Sequence, residues 1–412
     1  MKSWQKQLAA LVLLKLAYFL LIAVLVLVWP ASRDSAMARY ERIQWTPQGH
    51  PTFESYFTTW DVGHYLYLSH NGYQSGHKSC AFYPLWPFLM RWSSTFTGGD
   101  DVISGTILAN AFSLAGGFIF LRLTARRFGD SVAWLSLIFF LSFPGSLFFQ
   151  FPYSESLFFL LVMLVCVGLE EGRLAIAIGA ALLLPLTRAV GIFCIVPIGL
   201  HLIQTAPPDS LVGIVKETRV GRLIGKLPGE PRPDNVQVQP AQSCPGWANV
   251  CLLAAPVFGW ALYFTLMWHW TGNPFEGFSA QKNWGVQSLG NLFNVPGFVV
   301  SFFTPTYWHA FSGSLLDRSA FVLLLYCLRP IWRLDKIWFV WAFVMGVVPA
   351  MSGHFTSFIR FEAAVFPVFV ALAVCFRRKG PAIAILRLLT LATFVVLHWI
   401  LLSRFVYFQW AG

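Results

Sequence analysis

Residues 60–73 concentrate groups able to do acid–base chemistry: Trp60-Asp61-Val62-Gly63-His64-Tyr65-Leu66-Tyr67-Leu68-Ser69-His70-Asn71-Gly72-Tyr73. On a helix over 60–71, Asp61, His64 and Leu68 share one face, since residues three and seven apart fall on the same side. A carboxylate beside an imidazole, at the water edge of an apolar cavity, suits a general base with a neighbouring ligand for a phosphate or hydroxyl. The same spacing equally describes a surface helix with an acidic cap and a histidine anchored among lipid headgroups.

Further candidates are spread along the chain. Arg91 ends the run Ala81-Phe82-Tyr83-Pro84-Leu85-Trp86-Pro87-Phe88-Leu89-Met90-Arg91, which Pro84 and Pro87 break and which is too short to cross a bilayer. It reads as an interfacial or re-entrant element, with Arg91 either gripping a phosphate through its planar fork or snorkelling to headgroups. Pro152-Tyr153-Ser154-Glu155-Ser156 opens a helix at which Ser154 is the expected cap and Glu155 the complement to the dipole. Arg188 and Arg360 stand at the ends of apolar segments, where an ionisable group is expensive and ordinarily has a partner or a ligand. Arg360 lies in Ser352-Gly353-His354-Phe355-Thr356-Ser357-Phe358-Ile359-Arg360-Phe361, and Gln281, Lys282 and Trp284 lie in Ala280-Gln281-Lys282-Asn283-Trp284. Several such cations near Asp61 suit the neutralisation of one phosphate.

The elements that hold these residues are membrane helices. The 412 residues are 57% hydrophobic and 11% charged, with a mean hydropathy of +0.62, whereas soluble proteins carry about a quarter charged residues. Apolar stretches recur near 8–29, 102–121, 131–150, 155–169, 173–187, 189–203, 248–268, 315–331, 337–351, 361–376 and 382–402. They predict an all-α polytopic membrane protein with about eleven spanning helices, in which 173–203 forms either two helices or one kinked one. The first stretch is nearer the length of a spanning helix than of a signal core, so it reads as an uncleaved first helix. Two connecting segments, 30–101 and 269–314, are long and rich in Trp, Tyr, Phe, Gly and Pro, which predicts ordered outer loops. The Pro-rich polar stretch 204–247 reads as a connector between an amino-terminal helix group, 1–203, and a carboxy-terminal one, 248–412.

The formal charge of +11 resolves by side. With the N-terminus in the cytoplasm and alternating spans, nineteen bases and eight acids fall on the inner side and ten of each on the outer, with Lys15 counted among the inner bases. That asymmetry is the positive-inside pattern, with the C-terminus outside. The basicity therefore marks topology rather than nucleic acid. Seven cysteines without CxxC spacing write neither a disulfide framework nor a zinc ribbon. The chain lacks a P-loop, GxGxxG, HExxH and any Asp-x-Asp pair able to hold a metal-bound nucleotide sugar.

Taken in order, Trp60-Asp61, His64-Tyr65, Gly72-Tyr73, Ala81-Phe82-Tyr83-Pro84, Tyr153-Ser154-Glu155-Ser156-Leu157-Phe158 and Thr187-Arg188-Ala189-Val190-Gly191 resemble the PIG-V family. These are the GPI mannosyltransferase 2 type of membrane glycosyltransferases, within the GT-C superfamily. Gln281 to Trp284 and Ser357 to Phe361 are similar to that family's carboxy-terminal half. The resemblance implies a GT-C fold with an outward-facing or lumenal active site and a polyprenyl- or dolichyl-phosphate mannose donor. It further implies inversion at the anomeric carbon and an α-1,6 linkage to a glycolipid or glycan acceptor. It assigns the catalytic base to Asp61; the candidates for binding the donor phosphate or the substrate are His64, Arg91, Glu155, Arg188, Gln281, Lys282, Trp284 and Arg360. No metal is expected. Departures are Tyr65 where the family often has Phe, and Gln74, Ser75, Gly76 and His77 where an acid often follows the Gly-Tyr pair. The absence of an Asn-x-Ser/Thr sequon and the short inner loops suit a bacterial cytoplasmic membrane rather than the endoplasmic reticulum, and hence another acceptor.

Two other functions fit a polytopic chain. A secondary transporter would line a path with Asp61, Arg188 and Arg360, although no internal repeat is visible. A polymer ligase would share the outer site and take a pyrophosphate-linked glycan instead.

Overall fold

The computed structural model describes residues 3–28, 53–205, 246–285 and 289–412. Residues 206–245 of the expected connector and 30–52 of the first outer segment lie outside the described residues. Among the described residues the chain is helical, and extended backbone pairs only in an isolated bridge between Tyr307 and Ser314.

The chain opens with α1 (Ser3–Val28), α2 (Asp61–Asn71), α3 (Leu85–Ser94), α4 (Asp101–Phe128), α5 (Asp130–Ser142), α6 (Glu155–Glu170), α7 (Leu174–Thr187) and α8 (Ile195–Thr205). It continues through α9 (Gly246–Thr271), α10 (Glu276–Ala280), α11 (Val295–Phe303), α12 (Leu315–Leu334), α13 (Lys336–Ala342) and α14 (Val348–Ser352). It ends with α15 (Phe358–Glu362), α16 (Phe366–Phe376) and α17 (Pro381–Val406).

Local chemistry explains many of the ends. The Asp100 carboxylate accepts from the N–H groups of Val102 and Ile103 and so starts α4, and Gly129, at φ 84°, stops it. Ser314 caps α12 through the Asp317 N–H, and Asp335 caps α13 through the Trp338 N–H.

Among the described residues, four helices are long and apolar enough to cross a bilayer: Gln5–Leu27 within α1, then α4, α9 and α17. Several of the eleven apolar stretches are interrupted instead. The stretch 131–150 breaks after Ser142, because Pro144 drives Phe143 to an extended ψ of 136° and a 3₁₀ turn, Pro144–Phe149, follows. Residues 173–203 form two elements, since Arg188 is extended at φ −154° and ψ 147° between α7 and the 3₁₀ turn Ala189–Cys194. A wide turn at Phe343–Val347 interrupts 337–351, and 361–376 splits into α15 and α16. The breaks at Phe143 and Arg188, and the one between α15 and α16, lie beside the residues that carry the site.

The 3₁₀ turn packs hard against α15, and a β-carbon on Gly145 would lie 2.0 Å from the Ile359 carbonyl oxygen. In α3, Phe88, Trp92 and Phe96 just beyond it are exposed while Trp86 and Met90 are buried. Such a one-sided helix in the first outer segment is built to lie in a membrane interface. Lys15 departs from its expected place among the inner bases: it sits in the middle of α1 and is buried.

Candidate functional site

Four charged side chains from four separate elements form one chain of ion pairs. Arg360 in α15 donates through Nη1 to Asp61 Oδ2 at 2.6 Å and pairs through Nε with Glu155 Oε1. Arg188, in the extended link after α7, reaches the same Glu155 oxygen at 2.5 Å. The order is Asp61, Arg360, Glu155, Arg188, so signs alternate and the cluster sums to zero. Glu155 is 2% exposed and the Arg188 and Arg360 side chains 12% and 8%, a burial that only paired charges tolerate. Ring faces complete the enclosure: the Arg360 guanidinium lies 5.0 Å from the Tyr153 ring and 5.3 Å from that of Phe148, and Arg188 lies 4.5 Å from Phe361.

The backbone that presents these groups is forced. Trp60, just before Asp61, has φ 57° and ψ −118°, a region closed to most side chains, and is held there by its indole N–H donating to the Gln409 carbonyl and by edge contact with Trp410. On the other side, His354, Phe355 and Ser357 all have positive φ ahead of Arg360. The Asp317 carboxylate braces that bend by accepting the Ile359 N–H at 2.8 Å. Glu155 begins α6, but Ser154 makes no capping bond; its hydroxyl bonds that of Tyr65 at 2.9 Å instead. The expected cap is thus replaced by a tie between α6 and α2.

His64 stands one turn after Asp61 and shares a 2.8 Å hydrogen bond between Nδ1 and Ser79 Oγ. Its ring stacks on Phe82 and meets the edge of Trp284, with both centroids 4.9 Å away. Burial pushes its pKa down to about 4; nearby Asp61 opposes that shift, and Lys78 and His77 reinforce it. The imidazole is therefore neutral near pH 7, a hydrogen-bonding group rather than a phosphate counter-ion.

Residues 276–284 pack against this helix and the turn that follows it. Gln281 Nε2 donates to the Ala81 carbonyl at 3.2 Å, and buried Glu276 accepts the Gly76 N–H at 2.6 Å. Lys282 is exposed beside them. Arg91 is placed differently: its Nη1 donates to the carbonyls of Ser69 and His70 at 2.7 and 3.0 Å, where α2 ends. It complements the dipole of the helix that begins with Asp61. The structure thus gathers Asp61, Glu155, Arg188 and Arg360, sets His64, Gln281 and Trp284 along one wall, and leaves Arg91 and Lys282 at the rim. The sequence motifs include Trp60, Tyr65 and Tyr153 but give them no role, and Gln409 and Trp410, which hold Trp60, carry no signal in the sequence. Among the described residues, no three His, Cys, Asp or Glu side chains gather as a metal-ligand set.

Residues 10–209 match the family model described as mannosyltransferase (PIG-V). Over that stretch, just under half of its length, the chain resembles the PIG-V mannosyltransferases. The match takes in Asp61, His64, Arg91, Glu155 and Arg188, while Arg360, which completes the ion-pair chain, lies beyond it. No curated protein matches the sequence. Among solved structures, ArnT from Cupriavidus metallidurans bound to undecaprenyl phosphate aligns at 14% identity, 92% of this chain and 63% of that one, with a TM-score of 0.48. The Archaeoglobus fulgidus oligosaccharyltransferase with zinc and sulfate aligns at 14% identity over 94% of this chain and 53% of its own, with a TM-score of 0.44. AglB from the same organism, with an inhibitory peptide and a dolichol-phosphate, aligns at 14% identity over 95% and 56%, with a TM-score of 0.42. The chain spans between about half and just under two thirds of the length of these proteins.

Proposed function

We propose that this protein is an integral-membrane glycosyltransferase of the GT-C type that moves mannose from a polyprenyl-phosphate donor to a glycolipid or glycan at the outer membrane face. The observation that carries the reading is the pairing of part-buried Asp61 with buried Arg360 inside a cluster that also holds Glu155 and Arg188. A lone acid on a surface helix needs no such support; an acid that must meet a reacting hydroxyl in one orientation does.

In this mechanism Asp61 takes the proton from an acceptor hydroxyl as that oxygen attacks C1 of the lipid-linked sugar. The C1–O bond to the lipid phosphate breaks on the opposite face, which inverts the anomeric centre. Arg188 and Arg360 supply N–H groups to the departing phosphate, and their carboxylate partners hold them in place beforehand, so little reorganisation remains. His64, neutral and walled by Phe82 and Trp284, offers hydrogen bonds and ring faces to a sugar. An α-1,6 linkage and a bacterial cytoplasmic membrane, with the N-terminus inside, are the further particulars of this reading.

The test is transfer of labelled mannose from polyprenyl-phosphate mannose to candidate glycolipids by purified protein in nanodiscs. Asp61→Asn should reduce turnover by about 10²–10⁴ while donor binding persists. Near wild-type turnover by that variant would overturn the assignment. Transfer only from a pyrophosphate-linked glycan would identify a ligase instead.

A further inference from the structure

Lys15 is an unusual residue for its position. It lies near the middle of α1, roughly 18–20 Å from either end at 1.5 Å per residue, and is 8% exposed. An ammonium group at that depth is expensive and usually answers to a function. Its partners are not acids. Nζ donates to the Phe149 carbonyl at 3.1 Å and to Gln150 Oε1 at 2.9 Å.

Those acceptors belong to the end of the irregular segment that leads into Tyr153, Ser154 and Glu155. The same two residues collect further donors: Ser113 Oγ at 3.1 Å and Ser156 Oγ at 3.4 Å on the Phe149 carbonyl, and Asn110 Nδ2 at 3.0 Å on that of Gln150. Backbone that leaves a helix at membrane depth must have its polar groups satisfied by neighbours. The serines and Asn110 sit on α4 and α6, which adjoin the turn in any case; Lys15 reaches it from α1. A cavity of about 290 Å³ lies against its stem, lined by Leu11, Leu14, Ile138 and Leu141 among others, so an apolar side chain of equal length fits the same place.

We propose that Lys15 is a positioning residue for sugar transfer: it clamps the turn at Phe149 and Gln150 and so sets Glu155 in register with Arg188 and Arg360. This rests on the glycosyltransferase reading above. Lys15 touches none of the four charged groups and acts only through the turn.

Lys15→Met and Lys15→Arg separate this role from plain folding. In Lys15→Met, amide hydrogen exchange over 144–154 should rise while the remaining helices exchange as in the wild type. The kcat for transfer should fall at least about tenfold, since small misplacements of catalytic groups are costly, with the donor KM within about twofold. Lys15→Arg, which keeps the donors, should restore most of kcat. Unchanged exchange over 144–154, wild-type kcat in Lys15→Met, or general unfolding that arginine does not rescue would each overturn the proposal. If the wild type transfers no sugar at all, the functional reading fails, and the exchange measurement still decides whether Lys15 holds the turn.

Discussion

At the residue scale the site is a problem in charge balance. Asp61 and Arg360 are joined at 2.6 Å with side chains 17% and 8% exposed; removing Arg360 leaves Asp61 without its cation and Glu155 with Arg188 alone, and breaking a buried pair in this way costs up to about 3–5 kcal/mol. Arg360→Met should therefore lower thermal stability markedly. Adding Asp61→Asn to it should return much of that loss without returning any transfer, which a melting curve and a turnover assay on the same preparation would show. His64 makes a separate prediction about pH. Its folded value of about 4 lies below the ordinary 6.5, so the unfolded chain binds a proton there that the folded chain refuses. Stability gained from the neutral form is present above 6.5 and is lost as pH falls from 6.5 towards 4. Between roughly pH 6.5 and 8, His64→Asn should leave the shape of the pH–rate profile unchanged; a titration that disappears in this variant would show that the imidazole changes charge during turnover.

At the element scale, interruptions matter more than the helices they interrupt. The break at Phe143-Pro144 lets the turn Pro144–Phe149 lie against α15, and the extended Arg188 turns the chain towards Glu155. The turn and α15 meet at Gly145, where an added β-carbon would stand 2.0 Å from the Ile359 oxygen, a backbone atom unable to rotate away. Gly145→Ala should push the turn that leads towards Glu155 away from the helix that carries Arg360. Overpacking of this kind costs about 1–3 kcal/mol, and turnover should fall further than stability because the Arg360–Glu155 pairing is what moves. Equal melting temperature and turnover in wild type and variant would contradict that coupling. A periodic apolar pattern announces the helices, and Pro144 announces one break, but nothing in the local sequence says that Trp60 or Ser357 will take a positive φ. Those conformations are imposed by partners far along the chain, such as Gln409 for Trp60.

At the scale of the whole molecule, the far end from Asp61 is locked by a second ion cluster. Arg127, at the end of α4, pairs with Glu170 of α6 at 2.5 Å and with Asp335, between α12 and α13, at 2.6 Å, and its guanidinium lies 4.4 Å from the Trp338 ring. The 28 residues of α4 put this cluster roughly 40 Å along the helix from Asp101, near the other membrane face. A static seam there suits an enzyme with one accessible face better than a transporter that must open both ways. Arg127→Met should destabilise the fold, seen as a lower melting temperature, while the protein that remains folded keeps wild-type kcat and KM. A gain of solute flux in proteoliposomes on breaking this seam would favour transport instead.

The amino-acid sequence by itself determined the helical membrane class and named Asp61 and most of the polar side chains that the fold gathers around it. These are properties of composition and short motifs, which local order preserves. Tertiary structure decided which of those side chains meet. Asp61 and Arg360 are separated by 299 positions, and no periodicity reports a pairing of that range. It also put Glu155, read as the complement to a helix dipole, at the centre of the charge cluster, set Arg91 to hold the end of α2, and took Lys15 out of the inner loops into the bundle. Each of these depends on folding distant apolar surfaces together first, since a buried charge finds its partner only after burial has removed water as the alternative.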